Sequence, residues 1–318
     1  MEFTFSRRSG RIGEGIFSLL NTKKEELLKA GRTVYNFSVG TPDFEPPVHI
    51  MEAMQKACGI PENYRYALSD RPELLEAVQS FYERRFGVKL KPEQIMSLYG
   101  SQEGMAHIAL PLCDPGDTFL APDPGYPVFR IGPELTGAKC VTYPLYKENN
   151  FLPDFEDIPE EDAREAKFML ISYPANPVCS VADDSFYEKA VAFAEKYQII
   201  LLHDNAYADL VYGGKTGKSF LSCPGAMDVG IEFFSLSKSY NMTGMRISFA
   251  VGNERIIEKF KKVRSQIDYG TFLPVQYAAI AALTGPQASV KEQCRLYEER
   301  CNALCRGLSR IGWAVPAG

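Results

Sequence analysis

The sequence predicts an α/β fold with a mostly parallel, seven-stranded sheet and helices on both faces. Seven short apolar runs rich in β-branched and aromatic residues predict the strands, at 95–99, 118–122, 139–145, 168–174, 199–206, 231–237 and 246–252. Helical segments accompany them, since apolar residues recur three and four positions apart in 73–86, 103–113 and 185–197. This alternation favours parallel strands that are buried on both faces.

The composition is that of an ordinary globular protein, with 45% hydrophobic and 24% charged residues in a chain of 318. This length can bury one large core, or a large domain beside a smaller one. The net charge is −5 and no long cluster of lysines and arginines occurs, which argues against nucleic acid or a membrane as a partner. Because no apolar stretch of about eighteen residues occurs, we expect a soluble cytoplasmic protein.

The cysteines and the end of the chain complete the outline. The eight cysteines are scattered without a CxxC pair, and only three histidines accompany them, which predicts reduced thiols and no metal site. The segment 287–311 has the pattern of one long helix. The letters WAV at 313–315 are expected to begin another strand, and with it a second domain.

The residues that end the apolar runs are the first place to search for function, because open α/β sheets bind ligands beyond the carboxyl ends of their strands. Ser101 and Gln102 begin a helical run after the first strand, where unpaired backbone N–H groups could hold a phosphate. Taken alone, helix capping is the more common reason for Ser101. Tyr126 lies in a turn and either stacks on a planar ligand or packs on the surface, and Asn176 fits an Asx turn.

Two charged residues end buried runs in the middle of the chain. Asp204 ends 199–206, and a buried carboxylate is costly unless it is paired, so this residue needs a cationic partner or caps a helix. Lys238 ends 231–237, and Arg246 follows eight positions later. Desolvation and the charge of Arg246 would lower the pKa of Lys238 and favour its neutral, nucleophilic form. A solvated lysine at a strand end is the alternative.

Taken in order, these segments resemble the class I/II aminotransferases, pyridoxal-phosphate-dependent enzymes of fold type I, over essentially the whole chain. The likeness is carried by YPANP at 173–177, HDNAYADLVYGGK at 203–215 and SLSKSYNMTGMRISFAVGN at 235–253, and it is nearest to the LL-diaminopimelate aminotransferase branch. In this family the lysine of an S-x-S-K segment forms the internal aldimine and then transfers protons, which implies both roles for Lys238. The implied reaction is ping-pong transamination between an amino acid and its 2-oxo acid.

The resemblance also implies how the cofactor and substrate are held. Asp204 would pair with the ring nitrogen and Tyr126 would stack on the ring. The phosphate would be bound by Ser101, Gln102, Ser235, Ser237 and Arg246, and the phenolic oxygen by Asn176 and Tyr207. Tyr66 matches a tyrosine that reaches the partner subunit's phosphate, so a homodimer is expected. Gly40, in FSVGTPDFEPP, matches the glycine beside the substrate carboxylate.

The resemblance implies three parts: an N-terminal arm with part of a small domain (1–45), a large cofactor-binding domain (46–285), and a connecting helix with the start of a truncated small domain (286–318). Two short segments depart from the family pattern. ALSDRP at 67–72 replaces a glycine-containing turn, and Val178-Cys179-Ser180 stands where Thr-Gly is common. Family members continue past a segment like 312–318 to an arginine that binds the substrate carboxylate, a role that no residue here is expected to fill.

Two other functions stay open at this point. A β-lyase of the cystathionine type uses the same cofactor and the same groups around it. A catalytically weak, truncated protein that still binds the cofactor is the second. A non-catalytic regulator that keeps the fold predicts the loss of cofactor-binding residues, and none is lost here.

Overall fold

The computed structural model describes residues 1–11, 13, 15–37, 40–313 and 315, and the chain divides into two compact units, Met1–Asp43 and Phe44–Gly318. The first unit contains α1 (Ile16–Lys29), followed by Gly31 with a φ of 74°, a left-handed conformation that glycine adopts readily after a helix. The domain limits expected after residues 45 and 285 stay predictions.

One sheet organises the second unit. Its strands are β1 (Ile95–Leu98), β2 (Thr118–Asp123), β3 (Lys139–Pro144), β4 (Ala166–Ser172), β5 (Ile200–Asp204), β6 (Gly230–Ser235) and β7 (Ser248–Gly252). They lie in the order β1-β7-β6-β5-β4-β2-β3. β7 is antiparallel to both of its neighbours, and the other pairs are parallel. All seven predicted strands are therefore confirmed, as is the mostly parallel sheet.

The helices of the second unit lie before, between and after these strands. They are α2 (Val48–Cys58), α3 (Pro72–Phe86), α4 (Ser101–His107), α5 (Ala109–Leu112), α6 (Val128–Glu134), α7 (Glu160–Glu165), α8 (Asp184–Tyr197), α9 (Ala226–Val229), α10 (Leu236–Ser239), α11 (Glu254–Arg264), α12 (Leu273–Thr284) and α13 (Ala288–Arg310). Among the described helices, none is long and apolar enough to cross a lipid bilayer.

Two apolar cores lie on opposite faces of the sheet, because successive side chains of a strand point to opposite sides. Leu202 of β5 and Phe233 of β6 belong to the core that includes residues of α4, α5 and α11. Leu201 and Phe234, one position away on the same strands, belong to the core that includes residues of α3, α8 and α12. Both faces are thus covered by helices, as the sequence predicts.

Two expectations need correction. The helical segment 103–113 forms two helices instead of one, because Pro111 has no N–H to donate to the carbonyl of His107 four residues earlier. At 313–315, Trp313 and Val315 are not in a strand, since neither pairs with a neighbouring strand in the described part of the chain, and Ala314 lies outside the described residues. The long helix expected over 287–311 is confirmed as α13.

Candidate active site

Buried polar groups without partners collect at one edge of the sheet. Among the described residues, Ser172 Oγ, Asp204 Oδ1, Asn205 Oδ1 and Ser248 Oγ are buried and accept or donate no hydrogen bond. The first three lie at the carboxyl ends of β4 and β5, and Ser248 begins the antiparallel β7 at the same edge. Native proteins pair nearly all of their buried polar atoms, so this edge is the first candidate for a ligand site.

Asp204 is the buried carboxylate at this edge, with 5% of its surface exposed. Burial raises its pKa to about 6, against the effects of His203, a hydrogen bond from the Ala206 backbone, and Lys238. No α-helix begins directly after β5, so helix capping does not explain this residue. One carboxylate oxygen is left without a protein partner, which suits a cationic or N–H-bearing ligand.

Lys238 is placed by a short turn of helix that follows β6. The Ser235 side chain accepts a hydrogen bond from the backbone N–H of Ser237 (3.2 Å), so it caps α10. Lys238 Nζ lies 5.8 Å from the centroid of the Tyr207 ring. Burial and the charge of Arg246 lower the pKa of Lys238, in the direction that the sequence predicts, and Asp204 partly opposes them.

The charge of Asp204 affects the pKa values of two nearby tyrosines, Tyr126 and Tyr207. The Tyr126 hydroxyl donates to Gln102 Oε1 (2.9 Å), and the nearby charge of Asp204 adds to burial in raising the pKa of Tyr126. Burial raises the pKa of Tyr207 to about 12, with a smaller contribution from Asp204, and the neighbouring Asn176 side chain acts in the opposite direction. Tyr126 and Tyr207 therefore remain neutral hydroxyls beside Asp204.

Arg246 and Gly100 form a cationic recess next to the start of α4. Arg246 has a φ of 54°, which is unusual for a residue other than glycine, and its guanidinium donates to the carbonyls of Thr243 (2.9 Å) and Tyr99 (3.1 Å). Gly100 has a φ of 98°, and a Cβ at this position would overlap the guanidinium. Gly100 precedes α4 as its N-cap, so Ser101 is the first helical residue and not the cap.

The roles expected of Tyr66 and Gly40 stay predictions. The Tyr66 side chain is 78% exposed, and its ring packs against Tyr269 with centroids 5.0 Å apart. Gly40 belongs to the first unit, Met1–Asp43, and is exposed.

The chain was compared with known protein families. The family described as aminotransferase class I and II matches residues 32–318, which is most of the chain. The protein belongs to this family. Aminotransferases of this family depend on pyridoxal phosphate, and the chain is accordingly a pyridoxal-phosphate-dependent aminotransferase.

Relatives and solved structures agree with this assignment. LL-diaminopimelate aminotransferases from Moorella thermoacetica and Aquifex aeolicus are each 43% identical, over 97% and 98% of this chain and 80% and 81% of their own length. Substrate-bound BacF from Bacillus subtilis superimposes with a TM-score of 0.94 at 37% identity, over 100% of this chain and 81% of its own. Thermus thermophilus aspartate aminotransferase with maleate superimposes with a TM-score of 0.91 at 26% identity, over 98% of this chain and 81% of its own length. The expected fold type is thus confirmed.

The residues at the sheet edge fit pyridoxal phosphate chemically. The ring nitrogen of the cofactor carries a proton that needs an acceptor, and the unpartnered oxygen of Asp204 can accept it. The phosphate needs a cation, which Arg246 could supply, and the aldehyde needs an amine of lowered pKa, which Lys238 could supply. An aminotransferase cofactor therefore finds a matching group at each of its reactive positions.

Two supporting residues escaped the sequence reasoning. Gln293 of α13 is buried and donates to the carbonyl oxygen of Lys238 (2.7 Å). Asp209 accepts from Ser239 Oγ (2.7 Å) and from Arg85 Nε (3.2 Å), which fixes the helical turn next to Lys238. For Asp209, a signal was present, since a second acid follows Asp204 in HDNAYAD; the contact of Gln293 spans 55 residues and leaves no local pattern.

Proposed function

We propose that this aminotransferase exchanges the amino group of an amino acid with a 2-oxo acid in two half-reactions, with Lys238 as the amine that attaches the cofactor and moves the proton. One observation carries the proposal: a lysine with a lowered pKa and a buried carboxylate with an unpartnered oxygen lie at the same sheet edge. When bound, pyridoxal phosphate withdraws electrons from the substrate, so that the proton on its α-carbon becomes acidic.

Asp204 sustains that electron withdrawal by accepting the ring nitrogen's N–H. A carboxylate in this role must remain ionised, and a cationic partner favours the ionised form. Tyr126 would lie on the ring, and the neighbouring side chains of Asn176 and Tyr207 would hold the phenolic oxygen. These groups fix the plane of the ring and thereby the orientation of the reacting bond.

Lys238 acts as an acid and a base in turn. Because its pKa is lowered, a larger fraction of the amine is neutral near pH 7 and can accept the α-proton of the substrate. The same Nζ would then give up this proton and return to its neutral form. Gln293 holds the backbone carbonyl of Lys238, so the side chain swings from a fixed base.

The phosphate is assigned to the recess at Arg246. The Arg246 guanidinium supplies the positive charge, and the backbone of Ser101 and Gln102 with the hydroxyls of Ser235 and Ser237 would supply further donors. Gly100 supports this assignment, since the lack of a Cβ leaves room for the guanidinium.

The substrate is proposed to be LL-diaminopimelate or an amino acid of similar size with a second polar end. Support comes from the two relatives at 43% identity, each described as an LL-diaminopimelate aminotransferase. Gly40 is proposed to lie beside the substrate carboxylate, by likeness to the family.

A homodimer is proposed as the functional unit, with Tyr66 completing the partner's phosphate site. Tyr66 and Tyr269 pack against each other with tilted rings while 78% and 60% of their surfaces are exposed, and Leu68 is 79% exposed. Such an apolar surface suits a subunit contact. A protein that sediments as a monomer and still turns over at nanomolar concentration would show that the second subunit is not required.

A half-reaction assay tests the proposed function. Cofactor-loaded protein is mixed with LL-diaminopimelate, L-glutamate or L-aspartate, and the change in cofactor absorbance and the 2-oxo acid product are measured. We expect conversion with at least one of these donors and none in Lys238→Ala, while Lys218→Ala, which removes an exposed lysine, stays at the parent rate. With cystathionine as the added amino acid, release of pyruvate, ammonia and the leaving thiol without an amino-loaded cofactor would indicate a β-lyase instead.

A further inference from the structure

A second polar cluster lies directly behind Asp204, on the other face of the sheet. His203 of β5 and Glu232 of β6 are paired residues in the register of these two parallel strands, and both side chains have 0% exposure. His203 Nδ1 lies 2.9 Å from Glu232 Oε2. An ionisable pair of this kind is unusual in a core of apolar side chains and calls for a specific role.

Both ring nitrogens of His203 face hydrogen-bond acceptors. Nδ1 faces the Glu232 carboxylate, and Nε2 lies 3.0 Å from the backbone carbonyl oxygen of Tyr173. A carbonyl oxygen can only accept, so an unprotonated Nε2 at this distance would place two lone pairs against each other. The surroundings of the ring are thus those that suit an imidazolium cation.

Glu232 is fully satisfied as a carboxylate. Its Oε1 accepts from the Tyr82 hydroxyl (2.8 Å), and its Oε2 accepts from Ser219 Oγ (2.9 Å) as well as from His203. Three donors converge on the two oxygens, which stabilises the negative charge without water. The cluster thus offers a site for a positive charge on β5 and a negative charge on β6.

The positive charge is the nearer one to Asp204 along the chain, because His203 is the preceding residue on β5. Their side chains point to opposite faces of the strand, so they act on each other through the strand and not by contact. Burial is the largest influence on the pKa of Asp204 and raises it. His203 is the strongest influence that lowers this pKa, ahead of Lys238. Glu232 raises the pKa of Asp204, but its influence ranks below that of His203.

We propose that His203 is a positioning residue for the transamination: its buried imidazolium, clamped between Glu232 and the Tyr173 carbonyl, keeps Asp204 in the carboxylate form that the cofactor's ring nitrogen requires. This inference rests on the proposed function of Asp204. His203 lies on the face of the sheet opposite to the Asp204 side chain, so core packing can hold its ring in place without obstructing the site.

The other titratable groups around His203 do not change charge near neutral pH. Tyr187 of α8 lies 3.4 Å from Nε2, and Tyr82 of α3 contacts Glu232; burial raises the pKa of both tyrosines well above 10. Ser219 and the Phe220 ring, whose centroid lies 5.6 Å from the His203 ring, complete the surroundings. A change in the titration of Asp204 can therefore be ascribed to the His203–Glu232 pair.

The test measures the titration of Asp204 in the cofactor-free protein. Aspartate labelled with ¹³C at the carboxyl carbon is incorporated, and the Asp204 signal is identified by its loss in Asp204→Asn. The His203→Gln variant removes the cation. The double variant His203→Gln with Glu232→Gln removes both charges while keeping two amides of similar size, and it serves if the single variant does not fold. Tyr82→Phe is the matched control, because it removes one hydrogen bond from Glu232 and no charge.

We expect the protonation constant of Asp204 to increase about tenfold in His203→Gln and severalfold in the double variant, and to stay unchanged in Tyr82→Phe. In the cofactor-loaded enzyme, the same histidine variants should lower kcat about tenfold with KM within twofold, and a higher pH should restore part of the loss. Equal titration of Asp204 in all proteins, with only the stability reduced, would overturn the proposal and leave the pair as core packing. Because the titration needs neither cofactor nor turnover, it can fail while the proposed function stands, and the reverse.

Discussion

The two faces of β5 treat adjacent ionisable residues in opposite ways. His203 has an acceptor at each ring nitrogen, and its partner Glu232 receives three hydrogen bonds. Asp204, one residue later, is also buried but keeps one oxygen without a partner. Both side chains have almost no exposed surface, so they differ in their hydrogen bonding and not in their burial.

The comparison separates a structural polar cluster from a binding site. A closed cluster stabilises the fold and needs nothing more, whereas an unpartnered buried carboxylate lowers the stability of the cofactor-free protein and gains a partner only when a ligand binds. The strained φ of Arg246 and the unpartnered Ser172 and Ser248 lie at the same edge as Asp204. A left-handed φ and unpaired buried polar groups, both unfavourable for folding, are therefore found where the chemistry is proposed.

The largest expected effect is on the rate of transamination in Asp204→Asn. The variant keeps the shape of the side chain but not its charge, and losing a charge-assisted hydrogen bond of about 3 kcal/mol corresponds to about a hundredfold in rate. Stopped-flow measurement of the half-reaction should show a loss of this size or more, with cofactor still bound. The exposed Asp157→Asn is the control, and a rate for Asp204→Asn within twofold of the parent would refute the role.

The same substitution should have the opposite effect on the stability of the cofactor-free protein. The pKa of Asp204 is raised from 3.8 to about 6, so the folded state accommodates the protonated form, and that contribution is lost as pH rises through about 6. One pKa unit corresponds to about 1.4 kcal/mol, which gives on the order of 3 kcal/mol. Relative to the parent, Asp204→Asn should therefore gain free energy of unfolding as pH rises from about 4 to about 7.

Urea denaturation at several pH values measures this difference. We expect it to level off above about pH 7 and to be absent in Asp157→Asn, whose carboxyl group is exposed. A stability difference that is independent of pH, or that shrinks as pH rises, would mean that the buried carboxylate is not penalised in the folded protein.

A pair of glycine substitutions tests whether Arg246 binds the cofactor phosphate at the sheet edge. Gly100 and Gly116 have nearly the same φ, 98° and 97°, but a Cβ at Gly100 would overlap Arg246 while one at Gly116 has nothing within 4 Å. Both alanine variants should lose about 1–2 kcal/mol of stability to the left-handed backbone. Only Gly100→Ala should weaken cofactor binding, about tenfold, in equilibrium titrations. Equal cofactor affinities would remove Arg246 from the phosphate site.

The smallest expected effect is that of Tyr126→Phe. It keeps the ring that is proposed to stack on the cofactor and removes only the hydroxyl that donates to Gln102. A neutral, partly exposed hydrogen bond contributes about 0.5 kcal/mol, or about twofold. Steady-state kinetics should therefore show a change of two- to threefold, and a loss of tenfold or more would assign the hydroxyl a direct part in the reaction.

The sequence predicts the sheet well because its buried strands are continuous apolar runs, which few other structures produce. It also predicts Lys238, Asp204 and Arg246, since charged residues at the ends of such runs are conspicuous. The His203–Glu232 pair is different. Both residues lie inside apolar runs, but their contact depends on the register of β5 against β6, across 29 residues, and no local pattern contains that information.

Two further features were not predicted from the local sequence: the break between α4 and α5, and the hydrogen bond from Gln293 to Lys238. A proline at 111 is visible in the sequence, but the apolar pattern continues through it and hides the break between α4 and α5. Gln293 contacts Lys238 only because α13 packs beside α10. Long-range packing, and not local preference, decides both the hydrogen bond to Lys238 and the polar cluster behind Asp204.

The account depends most on Lys238 as the attachment point of the cofactor, and chemical trapping tests this directly. The cofactor-loaded protein is reduced with sodium borohydride, which makes the bond between cofactor and lysine permanent, then digested and analysed by peptide mass spectrometry. The account predicts the added mass on Lys238, and prevention of that modification when LL-diaminopimelate or another accepted donor is added first. Modification mainly at any other lysine, or equally at several, would contradict it.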